Sequence, residues 1–162
     1  MFDNKYWQLV MSPFSLLYKW VTQFRNHLYN IGSKTSFEFE TKVFSVGNLS
    51  VGGTGKTPIS IKIFEILKKL KMNPVIIKKD YKNQKDEILL LKKYSQILVS
   101  KKRSVGIYKA IEKNFDVIIL DDGYQDFEIK KNINIVCFNS KQKIGNGFTI
   151  PAGPLRQSLK SL

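Results

Sequence analysis

The chain has 162 residues, 43% of them hydrophobic, which is enough for one compact domain with a core of its own. The single cysteine, Cys137, excludes a disulfide scaffold and favours a reducing cytosol. A formal net charge of +14 favours a polyanionic partner such as nucleic acid, anionic lipid or a phosphorylated substrate, and solvated lysine-rich faces explain it equally well.

The first predicted element is an amphipathic helix within residues 1–31. Ser12 followed by Pro13 predicts a capped helix start, and the apolar residues after it recur at spacings of three and four. This stripe consists of Leu17, Trp20, Val21, Phe24, Leu28 and Ile31. It is typical both of a helix packed on its own domain and of one lying in a membrane interface.

Nothing in this segment predicts a membrane span or a secretory signal. The uncharged run in residues 9–18 is shorter than the roughly 20 apolar residues that a spanning helix needs. Residues 1–10 lack the basic, apolar and small-residue regions of a signal peptide. We therefore expect a protein on the cytoplasmic side of the membrane.

From residue 42 onwards, short apolar runs alternate with helical patterns. Strands are predicted at residues 43–46, 74–77, 97–99, 117–120 and 133–138. Helices are predicted at residues 58–70, 86–94 and 104–113. This alternation predicts an α/β domain with a mostly parallel sheet flanked by helices.

Residues 46–57 match a phosphate-binding loop between a predicted strand and a predicted helix. Glycines allow successive N–H groups to turn towards phosphate oxygens, and the positive end of the helix adds attraction. The predicted nucleotide-binding residues are Ser50, Val51, Gly52, Gly53, Thr54, Gly55, Lys56 and Thr57. Lys56 is expected to reach the β- and γ-phosphates of ATP, and the Thr57 hydroxyl to ligate Mg²⁺.

Four further residues could carry chemistry. Asp121 and Asp122 end an apolar strand and predict a magnesium site at the P-loop edge of the sheet, although Asp-Asp-Gly is also ordinary turn chemistry. Asp86 precedes an apolar run, where a helix cap is the simple interpretation. Arg156 ends a proline-rich turn and could contact a phosphate.

Four segments together resemble the tetraacyldisaccharide 4'-kinase family, which phosphorylates the 4' position of a disaccharide lipid A precursor with ATP. They are residues 47–58, residues 86–87, residues 121–125, and residues 145–147 with 151–156. A serine or threonine begins the family's P-loop, which explains Ser50 where the strict P-loop pattern has glycine.

The resemblance implies a P-loop NTPase-like fold and a role for each matched residue. Asp86 would be the base that takes the proton from the sugar hydroxyl, beside the catalytic Lys56. Asp121 and Asp122 would be the metal-side carboxylates, with ATP and Mg²⁺ as cofactors and Arg156 near the substrate. The N-terminal helix would lie peripherally on the cytoplasmic face of the bacterial inner membrane.

The chain also departs from the family pattern. Residues 78–80 are Lys-Lys-Asp where the family has Ser-Arg-Gly, Ile88 replaces a proline, and Asp126 replaces a usual histidine. These changes affect substrate contacts more than nucleotide binding. Members of the family continue through a second lobe, so the predicted P-loop kinase domain at residues 42–162 would lack the C-terminal lobe.

Three functions follow from these observations. The favoured one is ATP-dependent phosphorylation of a membrane glycolipid, a tetraacyldisaccharide 1-phosphate, in lipid A biosynthesis. The alternative is a truncated, non-catalytic remnant that binds nucleotide and membrane. A P-loop protein acting on nucleic acid would need interleaved aromatic residues on a basic face or a known binding module; we see neither and expect no nucleic-acid partner.

Overall fold

The computed structural model describes residue 2, residues 4–81 and residues 84–159. The predicted ranges 1–31 and 42–162 therefore include positions outside the described residues, namely 1, 3, 82–83 and 160–162. The chain forms two compact units, of which the first comprises residues 1–35, 48–54 and 137–162 and the second residues 36–47 and 55–136. These bounds differ from the predicted division, because the N-terminal helix shares its unit with part of the P-loop.

A five-stranded sheet organises the second unit. Its strands are β1 (Lys42–Asn48), β2 (Pro74–Lys79), β3 (Ile97–Ser100), β4 (Val117–Asp121) and β5 (Ile133–Cys137), in the order β3-β2-β4-β1-β5. The pairs β1–β4, β2–β4 and β2–β3 are parallel. The predicted strands are confirmed to within two residues at each end, and so is the mostly parallel sheet.

Helices cover both faces of this sheet. They are α2 (Lys56–Lys69), α3 (Lys85–Tyr94) and α4 (Arg103–Glu112), as predicted to within two residues. The main buried cluster joins α4 to one face of the sheet and consists of Val43, Val75, Ile77, Ile107, Ala110, Ile118, Leu120 and Ile129. Side chains alternate along a strand, so Ile76 and Ile119 face the opposite side. Helix α2 contacts β2 and β4 but adds nothing to that cluster, and so covers this other face.

The N-terminal helix α1 (Lys5–Asn30) begins earlier than the sequence predicted. Its cap is Asn4, whose side-chain oxygen accepts hydrogen bonds from the N–H groups of Tyr6 and Trp7. The predicted start at Ser12 and Pro13 is wrong, since both lie inside the helix. Proline has no N–H to donate to the carbonyl of Leu9, and the Ser12 hydroxyl donates to that carbonyl instead, at 2.9 Å.

Helix α1 turns its small polar side chains inwards. Ser15, Thr22 and Asn26 are buried. Within the first unit, the Ser15 hydroxyl donates to the carbonyl of Thr149 at 2.8 Å, and the Thr149 hydroxyl donates back to the carbonyl of Ser15 at 2.9 Å. The polar side of the amphipathic pattern is therefore the side that packs.

The predicted apolar stripe of α1 points outwards instead. Trp20 is 72% exposed and Phe24 is 64% exposed, and Leu17 and Val21 beside them are exposed as well. The interpretation in which this stripe packs on its own domain is therefore wrong for all of its members except Leu28, which is half-buried. Among the described residues, no helix combines the length and the apolar character that crossing a bilayer requires.

Arg103 fixes the turn that follows β4. Its guanidinium donates to the carbonyls of Asp121 at 3.1 Å and Asp122 at 2.8 Å, and forms an ion pair with Asp126 at 3.3 Å. Lys131 lies nearby and donates to the carbonyl of Tyr124 at 3.1 Å. Burial lowers the pKa of Lys131 to about 8, against the attraction of Asp126 and with the repulsion of Arg103.

We expect Lys131 to make stability depend on pH. Its pKa rises from about 8 in the folded chain to an ordinary 10.5 after unfolding, so the unfolded chain binds more protons between these values and stability rises with pH. Replacing Lys131 with Met removes the free-energy cost of burying a charged ammonium group at this position. The stability difference between variant and wild type should fall from pH 7 to pH 10.5 by up to about 3 kcal/mol, measured by urea unfolding.

The same substitution at Lys109, which is exposed on α4, controls for the loss of one positive charge. If the difference in unfolding free energy between Lys131→Met and the wild type stays constant with pH, as it should for the control, the proposed burial effect is contradicted.

Candidate functional site

The first part of the P-loop, residues 48–54, belongs to the first unit and lies alongside the late turn of the chain. The N–H of Val51 donates to the carbonyl of Pro154 at 2.7 Å, and the N–H of Arg156 donates to the carbonyl of Leu49 at 2.6 Å. Ser50 pairs with Leu155 in an antiparallel bridge. The backbone of Arg156 is therefore fixed beside the start of the P-loop, and its contact with a phosphate stays a prediction.

The second part of the P-loop, residues 55–57, belongs to the second unit and begins α2. Gly55 precedes the first helical residue and has a φ of 77°, in the left-handed region that favours glycine. Lys56 and Thr57 follow as the first two residues of the helix. The sequence Gly-Lys-Thr thus places a cation and a hydroxyl at a helix N-terminus, which attracts anions.

Two hydroxyls of the loop fit a bound phosphate. Within the described part of the chain, Ser50 Oγ and Thr54 Oγ1 are buried and have no hydrogen-bond partner. Buried polar atoms are almost always paired, so an unpaired one suggests that a ligand completes its hydrogen bonding. The φ of 121° at Gly52 is a further conformation that a side chain would oppose.

Asp121, at the end of β4, is fully buried, and each of its carboxylate oxygens has one partner. Ser60 of α2 donates to its Oδ1 at 2.9 Å, and the ammonium of Lys78 on β2 lies 2.5 Å from its Oδ2. Lys78 also forms an ion pair with Glu87, in the first turn of α3. Burial alone would lower the pKa of Lys78, but the two carboxylates reverse the effect and raise the pKa above its ordinary value.

Asp122 lies next along the chain and faces the P-loop lysine. Its Oδ1 is 3.8 Å from the ammonium of Lys56. Its φ of 55° places it in the left-handed region, which aspartate tolerates better than most residues. The structure therefore brings together three of the predicted site residues, Lys56, Asp121 and Asp122, within the second unit.

The oxygen ligands here suit a hard cation. A threonine hydroxyl and carboxylates are groups that Mg²⁺ binds, usually with several waters retained. Asp122 is partly open to solvent, with its side chain 17% exposed, whereas both oxygens of Asp121 already accept hydrogen bonds. Thr57 and Asp122 are thus the better candidates for direct ligands.

Asp86 lies in the first turn of α3, and not at its cap. Gln84 occupies the cap position, so the interpretation of Asp86 as a helix cap is wrong. Its carboxylate is exposed. The next residue, Glu87, forms an ion pair with Lys78, which also pairs with Asp121. A first-turn carboxylate is also stabilised by the helix dipole.

Sequence patterns did not identify the contacts of Ser60, Lys78 and Arg103. Ser60 follows Thr57 by three residues, so both lie on one face of α2, and this spacing was an available signal. In the sequence, Lys78 stands out only as a departure from the family pattern. Its pairing depends on strand register, in which Lys78 is the direct partner of Asp121.

Gly47 allows β1 to approach the turn that follows β4. A β-carbon at Gly47 would lie 2.4 Å from Cβ of Tyr124 and 3.0 Å from its backbone nitrogen. Both atoms are fixed by the chain, so neither can move aside cheaply. The requirement for glycine therefore comes from close packing between two of the matched segments.

We expect Gly47→Ala to lower the free energy of unfolding by about 2 kcal/mol, because the added methyl group overpacks a fixed contact. Urea unfolding followed by circular dichroism would measure the loss. Gly53→Ala is a matched control, since a β-carbon there meets no described atom within 4 Å. Equal stability of the two variants would contradict the close approach.

Comparison with known proteins supports one family. A family model described as tetraacyldisaccharide-1-P 4'-kinase matches residues 7–96 and 84–162. The tetraacyldisaccharide 4'-kinase of Pelagibacter ubique is 42% identical over 158 residues, which are 97% of this chain and 48% of that protein. The Haemophilus influenzae enzyme of the same name is 33% identical over 91% of this chain and 51% of its own length.

A solved structure agrees with these relatives. LpxK from Aquifex aeolicus, crystallised in complex with ATP, is 32% identical and superposes with a TM-score of 0.81, covering 94% of this chain and 55% of that one. The chain spans about half the length of the curated relatives it matches. With family matches that together reach from residue 7 to residue 162, and with a P-loop and an acidic strand end in one α/β fold, the chain belongs to the tetraacyldisaccharide-1-P 4'-kinase family.

Proposed function

We propose that this chain transfers the γ-phosphoryl group of ATP to the 4' hydroxyl of a tetraacyldisaccharide 1-phosphate, in lipid A biosynthesis. The observation that carries the proposal is the ion pair between Lys56 of the P-loop and Asp122 of the acidic strand end. It supports a site in which the ammonium that would contact the phosphates lies close to the carboxylate that would bind the metal. The named relatives are kinases of this kind, and one was crystallised with ATP.

Phosphoryl transfer depends on position and charge more than on covalent chemistry. Residues 50–57 would hold the triphosphate through backbone N–H groups, with Lys56 on the β- and γ-phosphates. Thr57 and Asp122 would hold Mg²⁺, which when bound neutralises charge on the phosphates. Asp86 would accept the proton of the sugar hydroxyl as that oxygen attacks the γ-phosphorus, and the bond from this phosphorus to the β-phosphate oxygen would break to release ADP.

The outward face of α1 supports a glycolipid substrate met at a membrane surface. Exposed aromatic and aliphatic side chains continue along the helix, among them Leu9, Phe14, Leu17, Trp20 and Phe24. Together with the net charge of +14, this face suits the interface of an anionic bilayer. We assign the chain to the cytoplasmic face of the bacterial inner membrane, as a peripheral protein.

The kinase assignment is tested by transfer of labelled phosphate from ATP to a tetraacyldisaccharide 1-phosphate in detergent micelles. We expect Asp86→Asn to reduce transfer at least about 100-fold and to leave ATP affinity within about threefold, because a general base acts on the reaction and not on nucleotide binding. Lys56→Ala should weaken both transfer and ATP binding.

Glu112→Gln, at an exposed acid at the end of α4, is the matched control and should transfer phosphate like the wild type. ATP binding without any transfer by the wild-type chain would overturn the proposal and support the nucleotide-binding remnant.

The membrane assignment is tested by cosedimentation with vesicles of phosphatidylglycerol and phosphatidylethanolamine. Trp20→Glu combined with Phe24→Glu should weaken binding at least about tenfold, since both aromatic side chains lose favourable burial. Ile66→Glu with Leu70→Glu makes the same charge change at two exposed apolar residues at the end of α2. Equal losses in both pairs would mean that net charge, and not the α1 face, drives binding.

A further inference from the structure

A buried lysine lies one residue before the end of β2, at a position where the sequence departs from its family. Lys78 follows the apolar residues Val75, Ile76 and Ile77 and is only 2% exposed. In the parallel register of β2 and β4 it is the direct partner of Asp121. A lysine is almost never this deeply buried without a charged partner, so the groups that contact the ammonium of Lys78 indicate what this residue does.

The ammonium of Lys78 connects two elements of the second unit. It lies 2.5 Å from Asp121 Oδ2 on β4, and it also pairs with Glu87 on α3. Ser60 of α2 occupies the other oxygen of Asp121. Two neighbours on two elements, Ser60 and Lys78, therefore contact one carboxylate that has no exposed surface, and Glu87 joins them through Lys78.

This arrangement gives the two carboxylates of the acidic strand end, Asp121 and Asp122, different surroundings. Direct ligation of a metal by Asp121 would bring a second cation close to the buried ammonium of Lys78, which lies 2.5 Å from Asp121 Oδ2, and the repulsion between the two cations opposes it. Asp122, whose side chain is 17% exposed, faces Lys56 of the P-loop.

We propose that Lys78 is a positioning residue: its ammonium holds Glu87, and with it the first turn of α3 that carries Asp86, against Asp121. Asp121 is then an internal anchor, and Asp122 is the carboxylate that faces the metal. The role of Asp86 in this inference rests on the proposed function. The tether of α3, which is formed by Lys78 and Glu87, does not depend on that function.

The tether is tested by hydrogen exchange of the full chain, read by mass spectrometry. Glu87→Gln should speed exchange in peptides of residues 85–94 at least threefold and leave those of β2 and β4 unchanged. Glu65→Gln is the matched control, because it breaks an exposed ion pair with Lys62 on α2. Unchanged exchange in α3 would overturn the tether.

The anchor role of Asp121 is tested by Mn²⁺ binding in the presence of a non-hydrolysable ATP analogue. Lys78→Met alone leaves a buried charge unpaired and endangers folding, so it is combined with Asp121→Asn, which removes both charges together. We expect this double variant to bind Mn²⁺ within threefold of the wild type and Asp122→Asn to bind it at least tenfold more weakly. Equal losses in both would overturn the assignment.

A kinetic readout separates positioning from general stability. Glu87→Gln should lower kcat at least threefold and leave the KM for ATP unchanged, because it displaces Asp86 without touching the P-loop; a rise in the KM with kcat unchanged would overturn the positioning role. Exchange and Mn²⁺ binding need no turnover. A chain that transfers no phosphate would therefore contradict the proposed function, while those two measurements still decide the role of Lys78.

Discussion

The buried carboxylate of Asp121 is the constraint on which the second unit depends. An unpaired charge in a protein interior costs several kcal/mol, so this position is stable only if other elements supply partners. The hydroxyl of Ser60 and the ammonium of Lys78 do so, and Arg103 binds the adjacent backbone carbonyl. Helices α2 and α4 and strand β2 are thereby fixed around the end of β4, where the candidate site lies.

Much of the fold could be predicted because its signals are local. Each strand of the sheet is a short apolar run, and each of α2, α3 and α4 begins and ends where periodicity and turn residues change. The order β3-β2-β4-β1-β5 was not predicted. Which strands become neighbours depends on contacts distant in sequence, and a single strand pattern carries no information about them.

Helix α1 shows a different limit of pattern analysis. Its periodicity correctly predicted an amphipathic helix, but it gave no indication of which side packs on the chain. Buried Ser15, Thr22 and Asn26 satisfy polar backbone and side-chain groups, whereas Trp20 and Phe24 remain outside. The predicted start failed because a proline inside a helix looks the same in sequence as a proline at its first turn, and Ser12 compensates for it locally.

The candidate site was predictable where a motif carries the chemistry. The P-loop and the two aspartates were found because their glycines, lysine and carboxylates stand at fixed spacings along the chain. The residues that pair with Asp121 could not be found in this way. Lys78 and Glu87 are nine residues apart in sequence and meet only because β2 and α3 fold back on each other.

The outward face of α1 also governs how the protein behaves in solution. Exposed apolar side chains such as Leu17, Trp20 and Phe24 promote clustering between copies when no lipid or detergent covers them. The net charge of +14 opposes such clustering through repulsion over a distance of about 10 Å at 0.1 M salt. Added salt screens that repulsion but leaves the apolar attraction intact, so the protein should be most dispersed in dilute buffer and least so at high ionic strength.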